Sequence, residues 1–372
     1  MAKKYNEEYS ELRGMLAITK GSFKAMMRNP SAVAFSFGFP MVFILVFGFI
    51  GGGPPSVSFA LARQGDTASR VIRGLLKDPL VRLSQDNDTA TMRSDLQKGR
   101  IGAVVTLDST QSAAGFMQYT IHTQTSSASG DKYPILRMAL AREFEYVVET
   151  RAPKQFLPII IDELPQIPGR QYSEIDFILP GMLGFSLLSA AVFGVAFLFF
   201  SLRSQLVLKR YYATPIGKRY IIIGEGLARV IFQLITAVVI IGIGKLVFHF
   251  TLVHGWLTFV EMLVLSLFGL IVFMGFGFII SSTAKSESTI PPFANLFTLP
   301  QFLLGGTFFT TEAFPKWLQR FCEILPLKQL NDAMRNVAFE GAHLTDCWRQ
   351  LGILALWGIA TYAVAIRVFK WE

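Results

Sequence analysis

The sequence predicts an all-α membrane bundle of six transmembrane helices, with an extracytoplasmic α/β domain inserted between the first and second helices. Of the 372 residues, 52% are hydrophobic and only 16% are charged, whereas soluble domains carry about 25% charged residues. The apolar residues are gathered in runs with few or no charges that are long enough to cross about 30 Å of hydrocarbon. Between the first two runs, residues 53–172 carry alternating strand and helix signals. This pattern excludes a cytosolic enzyme and a disordered chain.

Six apolar runs, five of them free of charged residues, have the length of a membrane crossing. They cover roughly Ser31–Ile50, Phe177–Leu202, Tyr220–Val247, Met262–Thr283, Ser288–Thr311 and Leu351–Ile366. The fifth run contains Pro291-Pro292, Pro300 and then Gly305-Gly306. Because proline removes a helical donor and clashes with the preceding turn, we predict that this helix is broken or re-entrant.

The positive charge orients the bundle. Formal net charge is +9, and most Lys and Arg near the runs lie in loops that share one side if the helices alternate in direction. The positive-inside rule makes that side cytoplasmic, which places both termini inside and residues 53–172 outside. No basic patch outside the apolar runs is interleaved with stacking aromatics, so no nucleic-acid partner is predicted. Two cysteines exclude a disulfide scaffold and a four-cysteine metal site, and no metal is predicted.

An apolar stripe at helical spacing runs along the basic segment 1–30: Leu12, Leu16, Thr19, Phe23 and Met26. The stripe predicts an amphipathic helix on the inner membrane surface. A direct extension of the first transmembrane helix, residues 31–52, is the alternative.

Residues 53–172 are predicted to fold as a domain. Strand signals lie at 57–62, 81–83, 101–107 and 116–123, and helix signals at 66–77, 88–99 and 134–149. The βαβαβ order predicts a small mixed or parallel sheet with helical cover. Its histidine, His122, fits a strand residue better than a catalyst. Partner docking and a purely structural cap both stay open as roles.

The remaining residues, 173–372, hold five transmembrane helices, and the loop between the second and third runs is strongly basic. Leu202, Leu206 and Lys209-Arg210 fit one or two helical turns, which Pro215 ends. A rigid helix under the membrane can press into a cleft on a cytosolic partner and transmit its movement. Charges that only satisfy the positive-inside rule are the alternative.

A series of short motifs follows the chain in order: Met27-Arg28-Asn29-Pro30, Pro40, Phe177-Ile178-Leu179-Pro180-Gly181, Lys209-Arg210, Ala213-Thr214-Pro215, Gly224-Glu225, Leu304-Gly305-Gly306-Thr307-Phe308-Phe309, Phe314-Pro315-Lys316-Trp317-Leu318, Leu325-Pro326-Leu327 and Met334-Arg335. With these motifs the chain resembles, over nearly its whole length, the permease subunit of an ABC transporter of the type-2 exporter class. It departs from the family at Arg203-Ser204-Gln205, where an acidic Glu-Arg-Glu-like stretch is common.

The resemblance implies a permease in a bacterial cytoplasmic (inner) membrane that exports an amphipathic, drug-like, lipid-like or glycan substrate. It implies no cofactor on this chain, because ATP and Mg would be held by a separate cytosolic ABC ATPase; no G-x-x-x-x-G-K-[ST] loop is present. Other implied partners are a second permease copy or paralogue, membrane lipids and a periplasmic adaptor at residues 53–172. The coupling helix would be residues 203–214, and the outer hairpin residues 305–348.

The candidate ATPase contacts are Arg203, Leu206, Lys209, Arg210, Tyr211 and Thr214. Within the third run, Glu225 and Arg229 are four apart and can pair on one helix face. That pair would serve either as a gate or coupling contact or as a neutralised structural pair.

By family analogy the second and fifth runs line the substrate pathway. The candidate lining residues are Phe185, Phe193, Phe197, Asn295, Thr298 and Gln301. Ordinary helix packing with polar interhelical contacts is the alternative. Cys322 and Cys347 both lie in the outer segment, where a disulfide and two free thiols are the alternatives.

Two other function classes stay open. An ion-coupled secondary transporter would be expected to show internal repeats and several intramembrane acids along a relay. A non-transporting envelope scaffold or receptor would need neither six helices nor an interrupted fifth one.

Overall fold

The computed structural model describes residues 10–50, 57–63, 66–67, 69–78, 80–84, 88–111, 117–130, 132–151, 160–169, 173–205, 216–311 and 314–368. Contacts divide the chain into two compact units. The helical unit comprises Met1–Ile50 and Glu174–Glu372, and the α/β unit comprises Gly51–Ser173.

Three consecutive helices begin the helical unit: α1 (Glu11–Met27), α2 (Pro30–Val33) and α3 (Phe39–Ile50). A π-helical turn over Ala34–Gly38 joins α2 to α3. Helix α1 ends before Asn29-Pro30 because the proline ring disfavours the helical conformation of the residue that precedes it. It is therefore a helix of its own, separated from α2 by two residues.

The described part of the α/β unit contains a five-stranded sheet and three helices. These elements are β1 (Val57–Leu61), α4 (Arg70–Leu75), β2 (Val81–Leu83), α5 (Thr89–Gln97), β3 (Val104–Gln111), β4 (Met117–Ser126), α6 (Tyr133–Arg151) and β5 (Ile160–Ile167). The strand order is β2-β1-β3-β4-β5. Strand β1 is parallel to β2 and β3, β3 is antiparallel to β4, and β4 is parallel to β5. The sheet is thus mixed.

Apolar side chains of β1, β3 and α6 form the centre of this unit. Phe59, Val105 and Leu140 are fully buried there. Strand β5 contains Pro165 and was not among the strands predicted from the sequence. Proline is tolerated on an edge strand or at a bulge, and β5 is the last strand in the sheet, with a shift of register opposite Gln124 and Ser126.

Four described helices are long and apolar enough to cross a membrane. They are α7 (Glu174–Ser204), α8 (Lys218–Phe248), α9 (Trp256–Thr283) and, near the end of the chain, α13 (Trp348–Val368). They coincide with the second, third, fourth and sixth predicted runs. Each of α7 and α8 has 31 residues, or about 46 Å at 1.5 Å per residue, so each exceeds the hydrocarbon thickness. The chain is a multi-pass membrane protein.

The fifth predicted run forms a shorter helix, α10 (Ile290–Leu304). Its 15 residues extend about 22 Å, less than the roughly 30 Å of hydrocarbon. Pro300 lies inside the helix without ending it. The end comes at Gly305, and Gly306 has a φ of 66°, a left-handed conformation that glycine adopts without steric cost.

Two short helices follow α10: α11 (Lys316–Cys322) and α12 (Pro326–Arg335). A π-helical turn over Asn336–Glu340 then leads toward α13. Helix α12 packs against α7 and α13.

Helix α7 is the centre of the helical unit and packs against α3, α8, α9, α10 and α12. Leu179, Met182, Leu187 and Leu188 on this helix are fully buried. Helix α9 approaches it closely at Gly277, where a Cβ would lie 2.7 Å from Val195 Cβ. Small residues at such crossings allow two backbones to approach, because lipid itself provides no hydrophobic force between helices.

Replacement of Gly277 by alanine is expected to separate α9 from α7. The added Cβ would also lie 2.9 Å and 3.0 Å from the carbonyl oxygens of Ala191 and Val192, which are backbone atoms that cannot rotate away. We expect a loss of about 1–3 kcal/mol, measured as a lower thermal unfolding midpoint of the purified chain in detergent. Gly242→Ala on α8 is the control, since nothing lies within 4 Å of its added Cβ. Equal midpoints for the two variants would contradict the close crossing.

Candidate functional site

A cavity of about 820 Å³ lies in the helical unit among α1, α7, α8 and their neighbours. Its walls are rich in phenylalanine, from several helices: Phe39, Phe185, Phe193, Phe197, Phe232 and Phe302. Ligand sites in proteins are commonly clefts of about 300–1,000 Å³ with apolar walls and a few polar groups. The volume and the lining therefore suit an organic ligand with a large apolar part.

The aromatic stripe predicted on α7 lies on one wall of this cavity, since Phe185, Phe193 and Phe197 all line it. The ring of Phe185 is 4.2 Å from that of Phe302 and 4.9 Å from that of Phe39, between centroids. These contacts join α7 to α10 and α3 in one continuous aromatic surface.

The polar residues predicted on the fifth run do not line this cavity. Asn295 is exposed, whereas Thr298 and Gln301 are buried. The side-chain oxygen of Gln301 accepts a hydrogen bond of 3.1 Å from the backbone N–H of Leu327. That N–H belongs to the first turn of α12, where helices leave their donors without internal partners. Gln301 therefore ties α10 to α12.

Glu225 and Arg229, predicted as a pair on α8, turn toward different neighbours. The Glu225 carboxylate is buried and accepts a hydrogen bond of 2.8 Å from Ser22 Oγ on α1. Arg229 reaches the cavity, where its guanidinium lies against Gly194 of α7. Within the described residues no ion pair joins the two, and Arg229 Nε is buried without a hydrogen-bond acceptor.

A chain of hydrogen bonds that was not predicted from the sequence crosses the apolar interior. Gln233 Nε2 donates to Ser186 Oγ at 2.8 Å, and Ser186 Oγ donates to the carbonyl oxygen of Ser36 at 2.6 Å. Ser36 lies in the π-helical turn, and both it and Gln233 line the cavity. The sequence signal for this chain of hydrogen bonds is a glutamine within an apolar run.

Helix α1 packs along the first turns of α8. Thr19 Oγ1 donates to the carbonyl oxygen of Gly224 at 3.0 Å, beside the hydrogen bond from Ser22 to Glu225. Gly224 permits this approach because a Cβ there would lie 3.0 Å from the carbonyl oxygen of Met15. The Gly224-Glu225 motif thus holds α1 on α8.

Of the predicted ATPase contacts, Arg203 is described. Its guanidinium donates to the carbonyl oxygen of Ala284 at 2.9 Å and lies 5.5 Å from the centre of the Phe200 ring. Ala284 follows the last residue of α9, so Arg203 ties the end of α7 to the end of α9. The other predicted contacts lie outside the described residues: Leu206, Lys209, Arg210, Tyr211 and Thr214.

Three of the sequence motifs meet at Arg335, at the end of α12. Its guanidinium donates to the carbonyl oxygens of Phe177 at 3.0 Å and Gly306 at 2.5 Å, and it lies 3.8 Å from the centre of the Phe177 ring. Asn331 Nδ2 donates to the carbonyl oxygen of Gly305 at 2.9 Å. The turn after α10 is thereby fixed to α7 and α12.

Glu261, near the start of α9, is buried rather than extended toward a membrane surface. Its carboxylate lies 3.1 Å from His343 Nδ1, and the His343 ring stacks on His254 with 4.8 Å between centroids. Sequence spacing gave no sign of this contact, because Glu261 and His343 are 82 positions apart.

Cys322 and Cys347 are both buried free thiols. Burial raises the pKa of both, and that of Cys347 reaches about 11 because the charges of Asp346 and Glu261 add to the effect. Since the thiolate is the reactive form, neither thiol is activated at neutral pH.

Comparison with known proteins places the chain among transporters. The family described as ABC-2 family transporter protein matches residues 30–367. The chain is 23% identical over 376 residues to "ABC transporter G family member 20" of Dictyostelium discoideum, with 96% of this chain and 51% of that protein covered.

Bacterial permeases also match. Identity is 24% over 172 residues to "Probable multidrug ABC transporter permease YbhR" of Escherichia coli strain K12, covering 45% of each chain. It is 26% over 198 residues to "Inner membrane transport permease YadH" of the same strain, covering 52% of this chain and 73% of that one. The chain spans about half the length of the first two relatives.

Replacement of Arg335 by lysine is expected to destabilise the turn after α10. An ammonium cannot stack flat on Phe177 while bridging two carbonyl oxygens, and hydrogen bonds of charged groups are worth about 1.5–3 kcal/mol. A lower thermal unfolding midpoint in detergent would show this loss. Arg349→Lys provides the control, since its ion pair with Glu323 is exposed and contributes little. If both variants have the same unfolding midpoint as the wild type, the Arg335 contacts do not stabilise this turn.

Thiol titration is expected to give two free thiols per unfolded chain, both without and with reductant. In the folded chain alkylation should be slow at neutral pH. It should accelerate as the pH approaches about 11, where the Cys347 thiolate forms. Two thiols that appear only after reduction would contradict the unpaired state.

Proposed function

The chain belongs to the ABC-2 transporter family, and from that premise we propose that it is the permease subunit of an exporter powered by a separate cytosolic ABC ATPase. The observation that carries the proposal is the family match, which extends over residues 30–367 and so takes in the long helices of the helical unit. The proposed substrate is amphipathic, drug-like, lipid-like or a glycan, and the described residues supply an apolar cavity among those helices that suits the first three.

Residues 203–214 are the proposed coupling helix, with Arg203, Leu206, Lys209, Arg210, Tyr211 and Thr214 facing the ATPase. The contacts on either side of this segment support a transmitting role. Before it, Arg203 ties α7 to the end of α9. After it, the backbone N–H of Gly217 donates to the Glu11 carboxylate of α1 at 3.2 Å. A push on the segment would therefore reach α1, α7 and α9 together.

The same proposal includes a location and an assembly. The positive-inside rule favours a bacterial cytoplasmic membrane with both termini in the cytoplasm and the α/β unit outside. In that position the α/β unit could receive a periplasmic adaptor. Two permease copies, or this chain and a paralogue, would form the transporter with Phe185, Phe193 and Phe197 along its substrate pathway.

Purification of the tagged full chain from its native membranes is expected to recover an ATP-binding subunit in stoichiometric amount.

Replacing both Arg210 and Thr214 by proline should break the coupling helix, because proline costs about 3 kcal/mol in a helix interior. A broken helix should bind the ATPase more weakly, and each 1.4 kcal/mol of lost binding free energy lowers the affinity tenfold. We therefore expect the ATPase activity that co-purifies with the chain to fall about tenfold or more, while membrane insertion is unchanged.

The matched control replaces the same two residues by alanine, which keeps the helix. It should retain most of the ATPase. Recovery of the functional chain without any ATP-binding subunit would overturn the proposal and favour an ion-coupled transporter or an envelope scaffold.

A further inference from the structure

The wall of the cavity is mostly aromatic and aliphatic, and it holds one half-buried positive group. Among the described lining residues the charged ones are Arg229 and Glu287. Glu287 is exposed, in the turn just before α10. Arg229 lies eleven residues into α8, about 16 Å from its start. The two charges thus occupy different environments, and only Arg229 faces the apolar interior.

The guanidinium of Arg229 is incompletely satisfied by the described residues. It carries five N–H donors in a planar fork, and its Nε is buried with no acceptor. Glu225 attracts it by charge, but the Glu225 carboxylate is hydrogen-bonded to Ser22. A buried charge that lacks hydrogen-bond partners is costly. The position therefore suits an anion from outside the chain.

The surroundings of Arg229 define where such an anion would lie. On one side the guanidinium packs directly on Gly194, where an added Cβ would lie 2.4 Å from Nη1, so an anion would approach from the cavity side. Gln233, one helical turn further along α8, also lines the cavity and has a buried Oε1 without a partner, while its Nε2 is used by Ser186. An acid with one proton, or one with a hydroxyl beside it, could donate to that oxygen.

The rest of the cavity suits an apolar chain. The ring of Phe185 contacts those of Phe39 and Phe302, and Phe193 and Phe197 continue the wall along α7. Each methylene of a ligand that is buried against this aromatic and aliphatic surface makes the binding free energy more favourable. Glu287 at its exposed position would repel an anion, which favours placement of the acid group at Arg229 instead.

We propose that this cavity binds an anionic amphiphile, with its carboxylate, sulfate or phosphate on Arg229 and its apolar body along the phenylalanine wall. The proposal rests on the proposed function only in making this ligand the exported substrate class; binding itself needs no ATPase. A membrane lipid and a soluble single-chain acid share this chemistry, and the experiment separates them.

The test uses the full chain in nanodiscs of phosphatidylcholine and two photoactivatable probes, a diazirine derivative of palmitic acid and its alcohol counterpart. We expect the acid to half-saturate labelling of α7 and α8 at a concentration about tenfold lower than the alcohol, because a hydrogen bond to a charged group is worth that factor or more. Equal half-saturation in the wild-type chain would overturn the proposal, whatever the variants do.

Variants localise the effect. Arg229→Gln should remove the preference for the acid, and Arg229→Lys should keep most of it. Lys245→Gln is the matched control, since Lys245 is an exposed cation on the same helix that does not line the cavity. A preference that survives Arg229→Gln, or that is lost equally in Lys245→Gln, would refute the assignment to Arg229.

A second nanodisc composition distinguishes a membrane lipid from a soluble acid as the source of the ligand. Adding phosphatidylglycerol to the nanodiscs should compete with acid labelling if a membrane lipid occupies the cavity, and should leave it unchanged if the site selects single-chain acids. Either result supports the proposal. Because no ATPase is present, a failure of binding is distinguishable from a failure of the proposed function, which is read from co-purification alone.

Discussion

Lipid offers no hydrogen bonds, so every buried backbone group that leaves a helix must find a partner within the protein. The turn after α10 shows how this chain meets that constraint. Its two glycine carbonyl oxygens receive hydrogen bonds from Asn331 and Arg335. In turn, the side-chain oxygen of Gln301 accepts a hydrogen bond from a backbone N–H in the first turn of α12. Helix α10 can therefore end short of a full crossing without exposing its backbone.

The same principle explains which parts of the fold were predictable. Runs such as Tyr220–Val247 identify α8 because length and apolar composition are local properties. The strand β5 was not predictable, since Asp162, Glu163 and Pro165 obscure its alternation and its only described partner is β4. Among the described residues Glu225 and Arg229 attract each other by charge but form no ion pair, because packing of α1 and α7 around α8 offers each side chain another neighbour.

Part of the cavity lining was predictable from the sequence, because the spacing of residues along one helix is a local property. Spacing on one helix suffices to place Phe185, Phe193 and Phe197 on one face. It does not tell which helix that face meets, so the contributions of Phe39, Phe232 and Gln233 could not be derived. Two of the helices that line the cavity, α7 and α8, also flank the proposed coupling segment. These two helices would thus carry both the proposed binding surface and the proposed contact with the ATPase.

The π-helical turn at Ala34–Gly38 has a consequence for the chain's tolerance of length changes. A helix advances about 100° per residue at 3.6 residues per turn. Deleting one residue in this turn would rotate all of α3 by that angle, carrying Phe39 out of the aromatic wall. The orientation of α3 therefore depends on how many residues precede it as well as on which residues they are. Homologous chains should keep the same number of residues between Pro30 and Phe39 even where the side chains differ.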